Sequence, residues 1–418
     1  MDETLILSEG QLMGQFVDAA LTRPYDRMFR LIQKRVADKI KLPVEIQLWG
    51  DRTYRLGKGE PAIQILVKDR HGLAALRDLD EVRICEAYMA GNLDVAGDML
   101  GFASLRGLLR DHHPLHALWL RIAPLFVGRV QTDRRAIASH YDFSNEFYLK
   151  FMDPTRCYSQ AVFEHDDESL EAAQHRKLDF AIDACRLKPG DHVLDVGGGW
   201  GSFTEHAGRR GIHVTSLTIS EQSEAFLADL IERLQLPCKV LNQDFWEHTS
   251  PDPYDAIVIL GVMEHLPDYP AVLRHLQRLL KPGGRVYLDA SAYREKYSKA
   301  TFISRYIFPG DHAYFCLHAF LAEVAKSELE VLEVHNDRHN YFLTCKIWAE
   351  NLEDARDEIV SRWGEMLYRR FRLYLWGSAH AFLSHAIDAY RVVLELPNVS
   401  VSSRDAYGEP MDMGTKQR

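Results

Sequence analysis

A run of glycines stands directly behind an acidic residue in His192-Val193-Leu194-Asp195-Val196-Gly197-Gly198-Gly199-Trp200-Gly201. Gly197, Gly199 and Gly201 allow positive φ and close backbone approach. A helix is expected from about Ser202, so the turn offers backbone N–H groups and a helix N-terminus to a bound ligand. The spacing is G-x-G-x-G and differs from the G-x-G-x-x-G of dinucleotide enzymes. By itself the stretch fits either a nucleotide-like site in an α/β crevice or a tight turn in any α/β protein. Further residues of possible chemical use flank it. Ala138 to Tyr148, reading ASHYDFSNEFY, mixes aromatic and polar groups in a way unlike a plain helix, and Cys157-Tyr158-Ser159-Gln160-Ala161-Val162-Phe163 follows it.

These residues must be positioned by regular elements, and from residue 169 onward the pattern is an alternation. A helix runs from Ser169, a favourable N-cap, to Cys185, and Lys188-Pro189-Gly190 turns into the strand before the glycines. Then come a helix at 202–210, the strand HVTSLTIS, a helix from Glu221 to Leu234, and the strands CKVLNQD and YDAIVILG. A helix from Pro270 to Leu280, the turn Lys281-Pro282-Gly283-Gly284 and the strand RVYLDA complete it. Strands alternating with helices specify a parallel sheet with right-handed crossovers, that is, an α/β doubly wound fold.

Either side of this alternation the pattern changes. Residues 1–40 read as helical with a break at Pro24. VEIQLWG and AIQILVKD read as strands of a small α+β unit, and Leu76 to Leu109 as mostly helical with turns at Gly91 and Gly97. Beyond residue 293, stretches 299–326 and 353–392 read as a helical cap, with a strand pair LEVLEVHNDRH and YFLTCKIWAE between them. The expected organisation is an N-terminal α+β domain over 1–130, the α/β domain with its cap over 131–400, and a flexible tail over 401–418.

The chain has 418 residues, 46% hydrophobic and 26% charged, with a formal net charge of −10. No global basic field favours nucleic acid. A local basic stretch at 105–135, with Arg106, Arg110, Arg121, Arg129, Arg134 and Arg135, suits an anionic lipid surface. The six scattered cysteines form no C-x-x-C pair, which argues against a zinc site and a disulfide framework and fits a reducing cytoplasm. No signal peptide and no membrane-spanning run is evident.

Taken in order, HYDFSNEFY, CYSQAVF, LDVGGGWG, LTIS, MEHLPDY, LKPGG and YIFPG resemble the cyclopropane-fatty-acyl-phospholipid synthase and mycolic-acid cyclopropane synthase family of methyltransferases. EAYMAGNLDVAGDM resembles the N-terminal domain of its longer bacterial members, so the likeness covers about residues 40–395. The resemblance implies a class I methyltransferase (Rossmann-like) sheet and S-adenosylmethionine as cofactor. It implies that Tyr158 and Ser159 touch the methionine end, that Gly197 and Gly199 pass beneath it, and that Asp195 fixes the loop. Thr218 and Gln222 (or Ser223) would reach the ribose, and Asp244 and Phe245 would flank the adenine. It implies attack of a lipid double bond on the sulfonium methyl, without a metal, followed by proton loss and ring closure. Such a cation needs a dry, aromatic-lined pocket, for which Tyr141, Phe143, Phe147, Tyr148, Phe163, Tyr306, Phe308, Tyr314, Phe315 and Tyr341 are available.

The family's base is a bound bicarbonate. Of its side-chain ligands, Glu264 and Tyr341 match. The family's cysteine and histidine stand here as Gln160 and Asp289, and a further late-helix cysteine as Ser378. Glu264, Asp289 and an anion would repel in a dry pocket. The expectation is therefore that Asp289, with Glu264, replaces bicarbonate as proton acceptor and that Gln160 orients it. The alternative is that Asp289 faces solvent or a backbone donor. Where the base sits decides between a cyclopropane and a methyl-branched or methylenated product. A small-molecule methyltransferase and a non-catalytic cofactor-binding scaffold are the competing readings. The family reading implies unsaturated phospholipid acyl chains as partners, a cytoplasmic enzyme in transient peripheral contact with the membrane, and a possible homodimer.

Overall fold

The computed structural model describes residues 40, 42–49, 52–109, 111, 145–296, 300–308 and 313–398, with 26, 28–30 and 32–34 of a preceding helix. Pro24, Tyr141, Phe143, Arg110, Arg121, Arg129, Arg134, Arg135 and the 401–418 tail lie outside the described residues.

Three aspartates set the helices of the N-terminal part. Asp69, Asp80 and Asp98 stand in extended backbone and accept from first-turn N–H groups of α1 (Arg70–Asp78), α2 (Glu81–Met89) and α3 (Met99–Ser104). Each such cap contributes about 1 kcal/mol. The strands are β1 (Val44–Leu48), β2 (Thr53–Leu56), β3 (Ile63–Val67) and β4 (Leu93–Gly97), in the order β2-β1-β3-β4. VEIQLWG and AIQILVKD supply β1 and β3, as expected. LDVAG departs from the helical reading: Leu93 and Val95 are buried at a period of two and the segment pairs antiparallel with β3. Gly91 and Gly97, with φ of 79° and 87°, turn the chain at either end of it.

The second sheet contains β5 (His192–Val196), β6 (His213–Thr218), β7 (Lys239–Asn242), β8 (Tyr254–Leu260), β9 (Leu280–Ala292), β10 (Glu330–Asn336) and β11 (Asp388–Glu395). Its order is β10-β11-β9-β8-β5-β6-β7. Neighbours among β5 to β9 are parallel, and β11 lies antiparallel between β9 and β10. Helices α4 (Asn145–Tyr148), α5 (Leu170–Ala184), α6 (Ser202–Gly208), α7 (Glu221–Arg233) and α8 (Tyr269–Leu279) precede or connect the strands. Ser169 caps α5 through Ala172 N–H at 3.2 Å, as its sequence position suggested. The expected Lys281–Gly284 turn lies inside the run of β9, where pairing with β8 shifts register.

The cap differs from expectation in three places. YFLTCKIWAE is helical, within α10 (Arg338–Asp354), because Cys345, Trp348, Ala349 and Leu352 bury one helical face. The partner of β10 is instead β11, at the end of the 353–392 stretch. The rest of that stretch forms α11 (Arg356–Trp363) and α12 (Glu365–Leu383), separated at Gly364, whose φ is 88°. Of 299–326, residues Ile303–Ile307 form a π-helical turn and α9 (Leu317–Val324) a helix, while Phe315 between them bridges Ala292.

One hydrophobic cluster runs from the four-stranded sheet into α10, α11 and α12. Helix α12 packs on α2 and α3 as well as on α10. Arg369 donates to the carbonyls of Tyr88 (3.0 Å) and Leu93 (3.1 Å) and to Asp94 (3.1 Å), and Arg372 to Tyr88 Oη (2.8 Å) and the carbonyl of Val95 (3.1 Å). The cap is thus bonded to the N-terminal sheet while its other face closes the C-terminal ends of β5, β8 and β9.

Candidate active site

The glycine turn leaves β5 with φ of 79°, 51° and 78° at Gly197, Gly199 and Gly201. A Cβ on Gly197 would lie 2.5 Å from Val262 Cγ2, and one on Gly198 1.8 Å from Ser216 Oγ. Side chains are excluded on steric grounds as well as by backbone angle. Asp195 is buried at the end of β5 and accepts from Thr204 Oγ1 (3.0 Å) and Ser216 Oγ (3.1 Å). It ties the turn to α6 and β6, and burial pushes its carboxyl up to about 6.

A cavity of about 150 Å³ opens in front of this turn. Tyr158, Ser159, Asp195, Gly197 and Gly199 line it, as do Glu264 and Tyr341. Thr218, Gln222, Asp244 and Phe245 are not on its wall. They lie farther along the same sheet edge, at the end of β6 and just after β6 and β7. Thr218 Oγ1 accepts from Ser220 N–H (3.2 Å), and Gln222 is exposed while Ser223 is buried. Asp244 caps Trp246 N–H (2.9 Å). Phe245 meets His275 edge-on at 4.7 Å within the core, so ring packing already occupies it.

Of the expected aromatic set, Phe308, Tyr314 and Tyr341 line the cavity. Phe147, Tyr148 and Phe315 are core residues, Phe163 packs beside the core, and Tyr306 donates to Glu86 of the N-terminal domain at 2.5 Å. The remaining aromatic wall comes from Tyr158, Trp200, Phe203, Trp348, Tyr374 and Phe382. Tyr341 stacks on Phe382 at 4.4 Å, and burial holds its hydroxyl well above the usual phenol range.

Glu264 is 4% exposed. Its Oε1 accepts from the backbone N–H and the hydroxyl of Ser291, both at 2.7 Å. Its Oε2 is buried with no hydrogen-bond partner among the described residues. Burial pushes this carboxyl up to about 7, against the pull of the two Ser291 bonds. The group on the cavity wall therefore has a free lone pair and changes protonation near neutral pH.

Asp289 is placed differently from the expectation. It is fully buried behind the wall and every oxygen is engaged: Oδ1 with Gly261 N–H (2.8 Å), Oδ2 with Ser159 Oγ (3.2 Å). Lys177 Nζ, also fully buried, stands 3.7 Å from Oδ2 and donates to Ser159 Oγ (2.8 Å) and Cys157 Sγ (2.9 Å). Burial raises the Asp289 carboxyl, opposed by Lys177. Burial works against the Lys177 charge, but Cys157 and Asp289 outweigh it and hold the ammonium above its ordinary value. Asp289 is thus an ion-pair partner with a backbone donor. Gln160 is also fully buried and off the wall; its amide has no hydrogen-bond partner among the described residues and does not orient Asp289.

No motif singles out Lys177 or Ser291. Lys177 interrupts the apolar stripe Leu170, Ala173, Leu178, Ala181 of α5, a buried-lysine signal. Ser291 follows Asp289 by two residues on the same strand.

A sequence profile described as mycolic acid cyclopropane synthetase matches residues 129–392, and a domain of unknown function matches residues 31–104. A probable fatty acid methyltransferase of Mycobacterium tuberculosis is 31% identical over 282 residues, 66% of this chain and 66% of that protein. A probable fatty acid methyltransferase of Pseudomonas putida is 29% identical over 375 residues, 86% of this chain and 93% of that one. Among solved structures, mycolic acid cyclopropane synthase CmaA1 complexed with SAH and CTAB is similar at a TM-score of 0.59 and 27% identity. That likeness covers 63% of this chain and 98% of that one.

Proposed function

The chain belongs to the mycolic acid cyclopropane synthetase family of S-adenosylmethionine-dependent methyltransferases, and from that premise we propose that it C-methylates the double bond of an unsaturated acyl chain of a phospholipid. The coarser activity is methyl transfer to lipid. The observation that carries the finer reading is Glu264 Oε2, a buried, unpartnered carboxylate oxygen on an aromatic-walled cavity in front of the glycine turn.

Bound S-adenosylmethionine supplies an electrophilic methyl group. The lining suits it: Gly197 and Gly199 leave room for close approach, and the rings of Tyr158, Trp200 and Trp348 suit a sulfonium cation. In this reading Tyr158 and Ser159 hold its methionine end, and the edge carrying Thr218, Gln222, Asp244 and Phe245 its nucleoside. Held there, it would give its methyl carbon to the alkene and leave as S-adenosylhomocysteine, and the acyl chain would carry the positive charge. The aromatic wall stabilises that charge and excludes water that would capture it. Ionised Glu264 faces the charge and takes the proton, with Tyr341 beside it. Loss from the new methyl closes a cyclopropane ring; loss from a neighbouring carbon leaves a methylated or methylenated alkene.

The residues do not fit a bicarbonate ion. The family's cysteine and histidine positions hold Gln160 and Asp289, both off the wall, and Asp289 is a carboxylate already paired with Lys177. No step is assigned to bicarbonate, and the proton-accepting role expected of Asp289 falls to Glu264.

Among the described residues no helix is long and apolar enough to cross a membrane. Our reading is therefore that the substrate is taken by peripheral contact with the bilayer surface. The test is incubation with methyl-labelled S-adenosylmethionine and vesicles of monounsaturated phospholipid. Label in the acyl chain is expected, and NMR of the product for ring methylene signals separates cyclopropane from branched products. Absence of label in lipid, with label in a soluble phenol, would refute the lipid reading.

A further inference from the structure

A second cavity, of about 450 Å³, lies between the four-stranded sheet and the cap, against about 150 Å³ for the catalytic one. Its wall within the N-terminal domain is mostly apolar, with Val44, Ile46 and Ile65 from the sheet and Leu76, Ile84 and Met99 from the helices, beside the charged Glu81, Arg106 and Asp111. Ile303, Tyr314, Tyr374, Ser378 and Ile387 line both cavities, so the two adjoin. We propose that this second cavity is an acyl compartment, which receives the methyl-terminal end of the substrate chain while the double bond lies in the catalytic cavity. The proposal rests on the acyl-chain reading above and gives the N-terminal domain a function of its own.

Three observations support it. The volume lies in the range of about 300–1,000 Å³ that holds small ligands. The lining is mostly apolar, as a hydrocarbon occupant requires. The third observation is Gly377, which lines the compartment from the interior of the 19-residue helix α12. Glycine is a poor helix former, and a Cβ built on Gly377 meets nothing within 4 Å. The residue keeps space open where helix propensity favours almost any other. The chemistry of the wall selects the end that enters. A polar headgroup among Val44, Ile46 and Ile65 would lose its hydrogen bonds without replacement. The charged groups of the lining are paired with one another: Arg106 Nε donates to Glu81 Oε1 at 2.9 Å, and Arg106 also lies 3.8 Å from Asp111. Hydrocarbon is what remains to be recognised.

The experiment uses the full chain with phosphatidylglycerol vesicles whose monounsaturated acyl chain carries a diazirine at its methyl terminus. Irradiation is expected to give cross-links within residues 44–103 or on α12 near Gly377. Cross-links confined to the rest of the catalytic domain overturn the proposal. In parallel, Gly377→Leu projects a side chain into the compartment. It should lower kcat/KM for the full-length chain by about tenfold, the equivalent of roughly two methylenes left in water. Activity on an acyl chain truncated just beyond its double bond should be unchanged. Equal effects on both chains, or none on either, overturn the compartment. If the unsubstituted protein methylates neither chain, the function itself fails and the compartment with it; if it methylates both, only the compartment is at stake.

Discussion

Ser291→Ala isolates the control of the candidate base. The serine hydroxyl donates one of the two 2.7 Å bonds to Glu264 Oε1, and the backbone N–H donor survives the substitution. A hydrogen bond to a charged group contributes about 1.5–3 kcal/mol. At about 1.4 kcal/mol per pKa unit, losing it raises the Glu264 carboxyl by about one to two units. The starting point is about 7, so the variant should titrate at about 8 to 9. Ionised Glu264 is the active form, so activity is present above the pKa and lost as pH falls through it. At pH 7 the native protein is about half ionised and the variant about a tenth or less. The assay is the rate of label transfer from S-adenosylmethionine to phospholipid vesicles, measured from about pH 5 to about pH 10. The acid limb should move upward and the rate recover at the alkaline end. An unmoved limb, or a loss that high pH does not restore, would remove Glu264 from the role of proton acceptor.

Three further tests separate roles at the site. Glu264→Gln should lower kcat by about 10²- to 10⁴-fold while calorimetry shows S-adenosylhomocysteine binding retained; a mild effect on kcat would contradict the assignment. Lys177→Met strands Asp289 as an uncompensated buried charge and should cost about 3–5 kcal/mol in denaturant unfolding. Lys177→Met combined with Asp289→Asn should recover part of that loss, and strict additivity would refute the pairing. Gly198→Ala places a methyl 1.8 Å from Ser216 Oγ and should abolish cofactor binding; adding Ser216→Ala should restore some of it, and failure of the rescue would locate the damage elsewhere.

The glycine turn and the strands around it were legible because local rules and tertiary structure agree there. Backbone angle and steric exclusion both demand glycine at 197, and the alternation from β5 to β9 buries what it shows. The cap was less legible because its pairing is remote. YFLTCKIWAE is rich in aromatic and β-branched residues, a strand-like composition, yet it packs at helical period. The true partner of β10 begins only at Asp388, past three helices. LDVAG was hidden in the same way, since five residues between helices carry little periodic signal. At the site, matching motif positions located Glu264 and Tyr341 on the cavity. They did not show that Asp289 faces away from it, because Lys177, which fixes its direction, lies 112 positions earlier on α5. Its place in an apolar stripe marks it as unusual without naming its partner.

The arginines that join α12 to the N-terminal sheet also bear on how the chain is made. The carbonyls of Tyr88 and Leu93 wait for Arg369, and the first of these bonds spans 281 residues. At a synthesis rate of about 5–20 residues per second, roughly a quarter of a minute to a minute passes before that partner is even polymerised. During this interval β4 and the apolar faces of the four-stranded sheet lack the helix that covers them. The nascent chain is then at its most exposed to aggregation and to chaperone capture, and biogenesis, more than the stability of the finished fold, is where weakening the contacts of Arg369 and Arg372 would first show, as a lower yield of soluble protein.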